Sequence, residues 1–224
     1  MTASAIPGTP AIELAKTFPE KFPDVRFFYL KRYPPTAGAA KKHDLAKLAT
    51  FSGKTLVKHR FARRIADLLK GIDVDESTSW IKVPADQLAA ELARLKAECR
   101  KSREGLALCS MCEDAAGRKL HIPMLDFRIG TKGDYGQIKL LTKALRHSRE
   151  EDGAIVNSGD SYHYYGFRLL SPDDWQRFMA AWLLLGPLVD VRYIGHRLMA
   201  RTAALRLNAA PPLKPKEPWV VRSL

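Results

Sequence analysis

Apolar residues along this chain fall into runs whose period switches between that of a strand and that of a helix, and the switches mark out elements. Ala11 to Thr17 predicts one short helix inside a Pro- and Ala-rich leading segment, residues 1–23, which otherwise reads as a flexible arm. Val25-Arg26-Phe27-Phe28-Tyr29-Leu30 is a dense β-branched and aromatic run that predicts a strand, ended by Pro34-Pro35. Val57, Phe61, Ile65 and Leu68-Leu69 keep helical spacing, so Lys54 to Lys70 is predicted helical, with Lys58, Arg60, Arg63 and Arg64 on its polar face. A further helix is predicted from Pro84 to about Lys101, with Leu88, Leu92 and Leu95 on one side.

The second half has a clearer rhythm. Leu106 to Cys112 and Leu120 to Ile129 predict two strands around the turn at Asp114 to Gly117. Gln137 to Arg149 predicts a helix, and Ala154 to Leu170 an extended stretch broken near Ser158-Gly159. Ser171-Pro172-Asp173-Asp174 has the chemistry of a helix start, followed by Trp175, Phe178, Met179, Trp182 and Leu183 as a buried stripe that Gly186-Pro187 stops. Val189 to Ile194 and Ala203 to Leu207 are predicted extended, and residues 209–224, with four prolines, an irregular basic tail. The order predicts a mixed α/β (α+β) protein, a sheet with helices packed mainly on one face over residues 24–208, between an arm over 1–23 and the tail.

Composition narrows the partners. The chain of 224 residues is 46% hydrophobic, enough for a real core, and carries a formal charge of +13 with a pI near 9.8. Such a surplus favours polyanions. No basic amphipathic helix offers the Trp/Phe/Leu face that lipid insertion needs, so nucleic acid or nucleotide is the expected partner and a membrane is not. Met1 to Pro10 lacks the pattern of a secretory signal, and the odd count of three cysteines argues against a disulfide framework, so the expected compartment is the cytoplasm.

The candidate chemistry begins at Ser161-Tyr162-His163-Tyr164-Tyr165. On a strand, Ser161, His163 and Tyr165 share one face and Tyr162 and Tyr164 the other. A hydroxyl and an imidazole so placed can both donate to phosphate oxygens, whereas packing alone would make this a Tyr-rich core strand. Asp126 and Arg128 would share a face at the end of another strand, and Asp190 follows the Gly186-Pro187 break. Carboxylates from separate strands can hold Mg²⁺ or Mn²⁺. Cys99, Cys109, Cys112 and His121 have the donor types of a zinc site, but the strand-like setting of Cys109 and Cys112 and the helical setting of Cys99 suit buried apolar cysteines as well. Exposed Tyr162 and Tyr164 would instead suit an RNA-binding sheet.

Asp126-Phe127-Arg128, then Ser161-Tyr162-His163, then Val189-Asp190 with Leu205-Arg206-Leu207 resemble in order and spacing the motifs of the archaeo-eukaryotic primase–polymerase superfamily. The resemblance implies a two-lobed module, with residues 24–104 as a basic N-terminal lobe and 105–208 as an RRM-like lobe carrying the motifs. It implies that Asp126 and Asp190 are catalytic and ligate Mg²⁺ or Mn²⁺, and that Ser161 and His163 contact a nucleoside triphosphate with Arg206 beside them. A place in replication or repair, beside a helicase or other partner protein, belongs to the same implication. The departure is Arg128, which stands where the family has a second acid. Another acid (Asp160, Asp134, Glu113 or Asp114) substitutes, or Arg128 serves the triphosphate in a one-metal site, or the site binds nucleotide without catalysis. Apart from the resemblance, the basic helix carrying Lys58, Arg60, Arg63 and Arg64, together with Arg100, Lys101 and Arg103, suits a DNA or RNA phosphate backbone, or else a solvated helix face.

Overall fold

The computed structural model describes residues 6–33, 80–131, 135–212 and 214–224. In chain order these form α1 (Ala11–Lys16), α2 (Phe18–Lys21), β1 (Val25–Tyr33), β2 (Trp80–Pro84), α3 (Leu88–Ser102), β3 (Gly105–Asp114), β4 (Lys119–His121) and β5 (Met124–Asp126). They continue through α4 (Tyr135–His147), β6 (Gly153–Asn157), β7 (Tyr162–Gly166), α5 (Pro172–Leu183), α6 (Val191–Ala200), β8 (Ala204–Arg206) and β9 (Trp219–Ser223). The protein is α+β, and its described residues build two antiparallel sheets. The larger runs β2-β1-β3-β4, with β8 also paired to β3, and the smaller runs β5-β7-β6-β9. Among the described residues no helix is long and apolar enough to cross a membrane.

Several elements form where the pattern predicts. Ser171 caps α5 by accepting from the Asp174 amide, and Trp175, Phe178, Met179 and Trp182 are buried, while Leu183 is exposed. The β6–β7 hairpin turns at Gly159, whose φ of +106° suits glycine, and every position of both strands is buried. Gly153, where β6 begins, has no room for a side chain: a Cβ would lie 2.4 Å from the Tyr164 ring and 2.6 Å from the Tyr165 carbonyl oxygen. Gly153→Ala is expected to destabilise the fold by about 2 kcal/mol, a melting temperature lower by about 5 °C in thermal circular dichroism.

Other expectations are corrected. The stretch Leu120 to Ile129 is not one strand, because the chain leaves the larger sheet after His121 and enters the smaller one at Met124, turning at Pro123, which has no N–H for a ladder. Residues 11–22 are not a loose arm. Ile12 and Phe18 are fully buried, Phe18 packs against Phe22, Phe28, Tyr165 and Phe167, and the Gly8 amide donates to the Val220 carbonyl. The tail is not irregular throughout, since Trp219–Ser223 adds β9 to the edge of β6. A boundary at 104/105 falls inside one sheet, because β1 and β3 are hydrogen-bonded along their length. Finally, Val189 to Ile194 is not a strand. Asp190 accepts from the Arg192 and Tyr193 amides and starts α6, with Ile194 buried on its inner face.

Candidate functional site

Three chain segments bring the motif residues together. Asp126 ends β5, where it pairs with His163 of β7, and the Phe127 amide donates to the Tyr162 carbonyl at 2.8 Å. On its other side the chain forms an antiparallel bridge between Phe127 and Val189, flanked by Asp190 N–H to Asp126 O and Arg128 N–H to Leu188 O, both 2.9 Å. Asp126 and Asp190 are therefore cross-strand neighbours, a relation that places side chains on one face about 5 Å apart at Cβ. His163, Asp126 and Asp190 line up across three adjacent segments.

Side chains complete the arrangement. The Ser161 hydroxyl donates to Asp126 Oδ1 at 3.2 Å and lies 3.1 Å from the Ser158 hydroxyl, which also donates to the Ser161 carbonyl. His163 Nε2 lies 3.8 Å from the same Asp126 oxygen. Burial pushes the His163 imidazole down to about 3, with Arg206 and Lys214 adding to it, so the ring is neutral and this contact is not an ion pair. Its Nδ1 is buried with no hydrogen-bond partner among the described residues. Asp190 Oδ1 takes the Arg192 and Tyr193 amides at 3.0 and 3.1 Å.

The donor set can be tested against a divalent ion. Mg²⁺ is commonly held by one or two carboxylates together with substrate phosphates, and two cross-strand aspartates meet that requirement. Among the described residues no group of three His, Cys, Asp or Glu side chains forms a ready-made metal site. Of the candidate substitutes for a second acid, Glu113 bonds Lys82 and Tyr29 on the larger sheet, and Asp114 holds the turn before β4 through Arg118. Asp160 is paired with Lys214 at 2.6 Å, and Asp134 lies outside the described residues. Arg128 is exposed and makes no ion pair with Asp126.

Arg206 has a place the sequence did not suggest. It is 7% exposed, and its guanidinium donates to the carbonyls of Ser158, Asn208 and Lys216. It thus clamps the turn that carries Ser161 rather than opening toward solvent as a triphosphate contact would. The signal for this in the sequence was slight: a cation inside an apolar strand, far from any acid.

The remaining candidates part from the site. Lys58, Arg60, Arg63 and Arg64 lie outside the described residues. Tyr162 and Tyr164 are buried, and the Tyr164 hydroxyl donates to Glu150, so no aromatic platform for RNA is exposed there. The zinc constellation is not assembled: Cys112 donates to the Leu120 carbonyl, Cys99 lies on the buried face of α3, and His121 stacks on Trp175 at 4.7 Å while Nδ1 meets the Ser110 hydroxyl.

That stacked histidine has a measurable signature. Burial pushes His121 down to about 4, with Lys119 adding to it. The folded ring stays neutral where the unfolded chain takes up a proton, so stability falls as pH drops from about 6.5 toward 4, at up to about 1.4 kcal/mol per unit. Urea unfolding followed between pH of about 7 and 5 should show a smaller slope in His121→Gln than in the wild type; equal slopes would assign the effect elsewhere.

One comparison with known proteins is informative. The family model AEP-like, archaeo-eukaryotic primase 1D-like, matches residues 84–219, a stretch that contains Asp126, Ser161, His163, Asp190 and Arg206. No curated protein and no solved structure matches the chain at a significant level.

Proposed function

The chain belongs to the archaeo-eukaryotic primase-like family, and on that premise we propose that it is a nucleic-acid-associated primase–polymerase-like protein that transfers nucleotides through a weakened metal site. The observation that carries this reading is the cross-strand placement of Asp126 between His163 and Asp190. In the proposed reaction the 3′-hydroxyl of a DNA or RNA strand attacks the α-phosphate of a nucleoside triphosphate. A new P–O bond forms, the bond to the β-phosphate breaks, pyrophosphate leaves, and the hydroxyl's proton passes to solvent. Asp126 and Asp190 would hold Mg²⁺ or Mn²⁺, which when bound lowers the pKa of the attacking hydroxyl and neutralises the leaving pyrophosphate.

The chain's own groups have assignable parts. The Ser161 hydroxyl, half-buried and already bonded to Asp126, can turn toward a phosphate oxygen, while the neutral His163 ring is as buried as Arg206 and holds Nε2 beside Asp126 rather than toward solvent. Arg128 stands beside Asp126 with its charge open to a triphosphate. A two-lobed architecture with an RRM-like C-terminal lobe belongs to the same reading.

A second reading, nucleotide binding without transfer, is favoured by Arg128 itself. It removes a negative ligand, adds a positive charge next to the ion, and leaves Asp190 with one oxygen already committed to capping α6. Extension of a labelled primer with Mn²⁺ or Mg²⁺ separates the two. Incorporation by the wild-type chain supports transfer. Calorimetric binding of nucleoside triphosphate with no incorporation supports the second reading, and absence of both removes the assignment.

A further inference from the structure

The charges on the surface are not distributed evenly among paired and unpaired groups. Along most of α3 the cations are matched, with Arg94 held by Glu91 and Glu98, Arg32 by Glu98 and Glu104, and Lys96 by Glu217, while Arg100, Lys101 and Arg103 at its C-terminal end form no ion pair among the described residues. Lys82, Arg118, Arg168 and Lys214 likewise each have an acid. The helix α4 differs. Its sequence from Tyr135 to His147 contains no Asp or Glu, and Lys139, Lys143 and Arg146 form no ion pair among the described residues.

These cations also share a face. At about 100° per residue, Tyr135, Lys139, Lys143 and Arg146 fall within about 80° of the helix circumference, a ridge about 16 Å long. All four are exposed, Tyr135 to 77%. The opposite side is already in use, with Leu141 and Leu145 fully buried and Ile138 and Ala144 packed on the core. An aromatic ring thus stands at one end of a cationic line, at the N-terminal end of the helix. Tyr135 lies four residues beyond Thr131 in the sequence, and the Thr131 hydroxyl donates to the Gly159 carbonyl at 2.8 Å, inside the turn that presents Ser161.

We infer that the outer face of α4 is a docking surface for the sugar-phosphate backbone of single-stranded nucleic acid, with Lys139, Lys143 and Arg146 on phosphates and Tyr135 stacked on a base beside the Ser161 turn. A line of cations with an aromatic platform is how proteins hold single strands without reading sequence. An anionic membrane suits the face poorly, because the apolar side of α4 is packed in the core and Leu140 is the only large apolar residue left exposed on the helix besides Tyr135. The inference rests on the proposed nucleic-acid association and says where on the surface that association occurs.

The test is fluorescence anisotropy of labelled single-stranded DNA and RNA oligonucleotides with the full chain. The variant Lys139→Gln/Lys143→Gln/Arg146→Gln is compared with a control of equal charge loss, Arg26→Gln/Arg201→Gln/Arg222→Gln, three exposed cations on separate elements. The α4 variant should bind roughly tenfold more weakly at low salt and lower the slope of log affinity against log salt by about 2, with the control close to wild type. Tyr135→Ala should weaken binding while leaving the salt slope unchanged. Thermal unfolding of all variants should match wild type, since every altered side chain is exposed. Equal weakening by the control would reduce the effect to net charge and overturn the assignment. So would wild-type binding by the α4 variant, or stripe-dependent binding to phosphatidylserine vesicles without binding to oligonucleotide. A wild-type chain that binds neither DNA nor RNA would overturn the nucleic-acid association itself.

Discussion

Asp190→Asn should abolish nucleotide incorporation while leaving the protein folded. The substitution separates the cap that Asp190 provides from the metal-holding role proposed for it. One oxygen caps α6 through the Arg192 and Tyr193 amides, and asparagine caps as well as aspartate does. The carboxylate charge is lost, and with it a helix-dipole contribution of about 0.5 kcal/mol. A divalent ion stabilises transition-state charge by several kcal/mol, so removal of one of its two carboxylates should lower incorporation by about a thousandfold or more. The melting temperature should move by no more than about 2 °C. Asp190→Ala removes the cap as well and should lose about 1 kcal/mol in addition. Incorporation that persists in Asp190→Asn, measured with Mn²⁺ on a primed template, would show that this carboxylate holds no catalytic ion.

Arg206→Met should give the largest loss of stability among the residues around the site. The guanidinium is buried and satisfies carbonyls of Ser158, Asn208 and Lys216, which methionine leaves without a donor. Each orphaned buried carbonyl costs about 1–3 kcal/mol, and relief from burying an isolated cation offsets part of the sum. A net loss of about 3 kcal/mol, or roughly 9 °C in melting temperature, is expected. The same change should weaken nucleoside triphosphate binding, because Ser158 positions Ser161 and Ser161 bonds Asp126. Arg206→Lys keeps the charge and reaches fewer carbonyls, so it should restore part of the stability and part of the affinity. Wild-type melting in Arg206→Met would remove the clamp, and reduced stability with unchanged nucleotide affinity would confine Arg206 to the fold.

Some features were legible because they depend on neighbours in the chain. The α5 stripe of Trp175, Phe178, Met179 and Trp182 and its Ser171 cap follow from helical period and cap chemistry alone. Strand alternation at Ser161 to Tyr165 placed His163 on the face that turned out to meet Asp126. Where two local signals compete, pattern was a poor guide. Val189-Asp190-Val191-Arg192-Tyr193-Ile194 has the β-branched and aromatic content of a strand, yet a capping aspartate starts a helix there and Ile194 turns inward. The run Leu120 to Ile129 hid a change of sheet at Pro123, because both halves are buried and look alike as apolar segments.

What the sequence determined by itself, then, was the α+β class, the family motifs and their order, and the replacement of an expected acid by Arg128. These are properties of residue type and spacing, which need no partner to be read. Tertiary structure decided which residues meet. The Phe127–Val189 bridge sets Asp126 beside Asp190, the Pro-rich end returns to lay β9 along β6, and residues 11–22 become core. It also turned Arg206 from an expected phosphate contact into a clamp on backbone carbonyls. The physical reason is the same in each case: hydrogen bonds and burial between segments far apart in sequence are satisfied only once the chain has closed on itself, and no local pattern encodes which distant carbonyl, carboxylate or strand edge will be there.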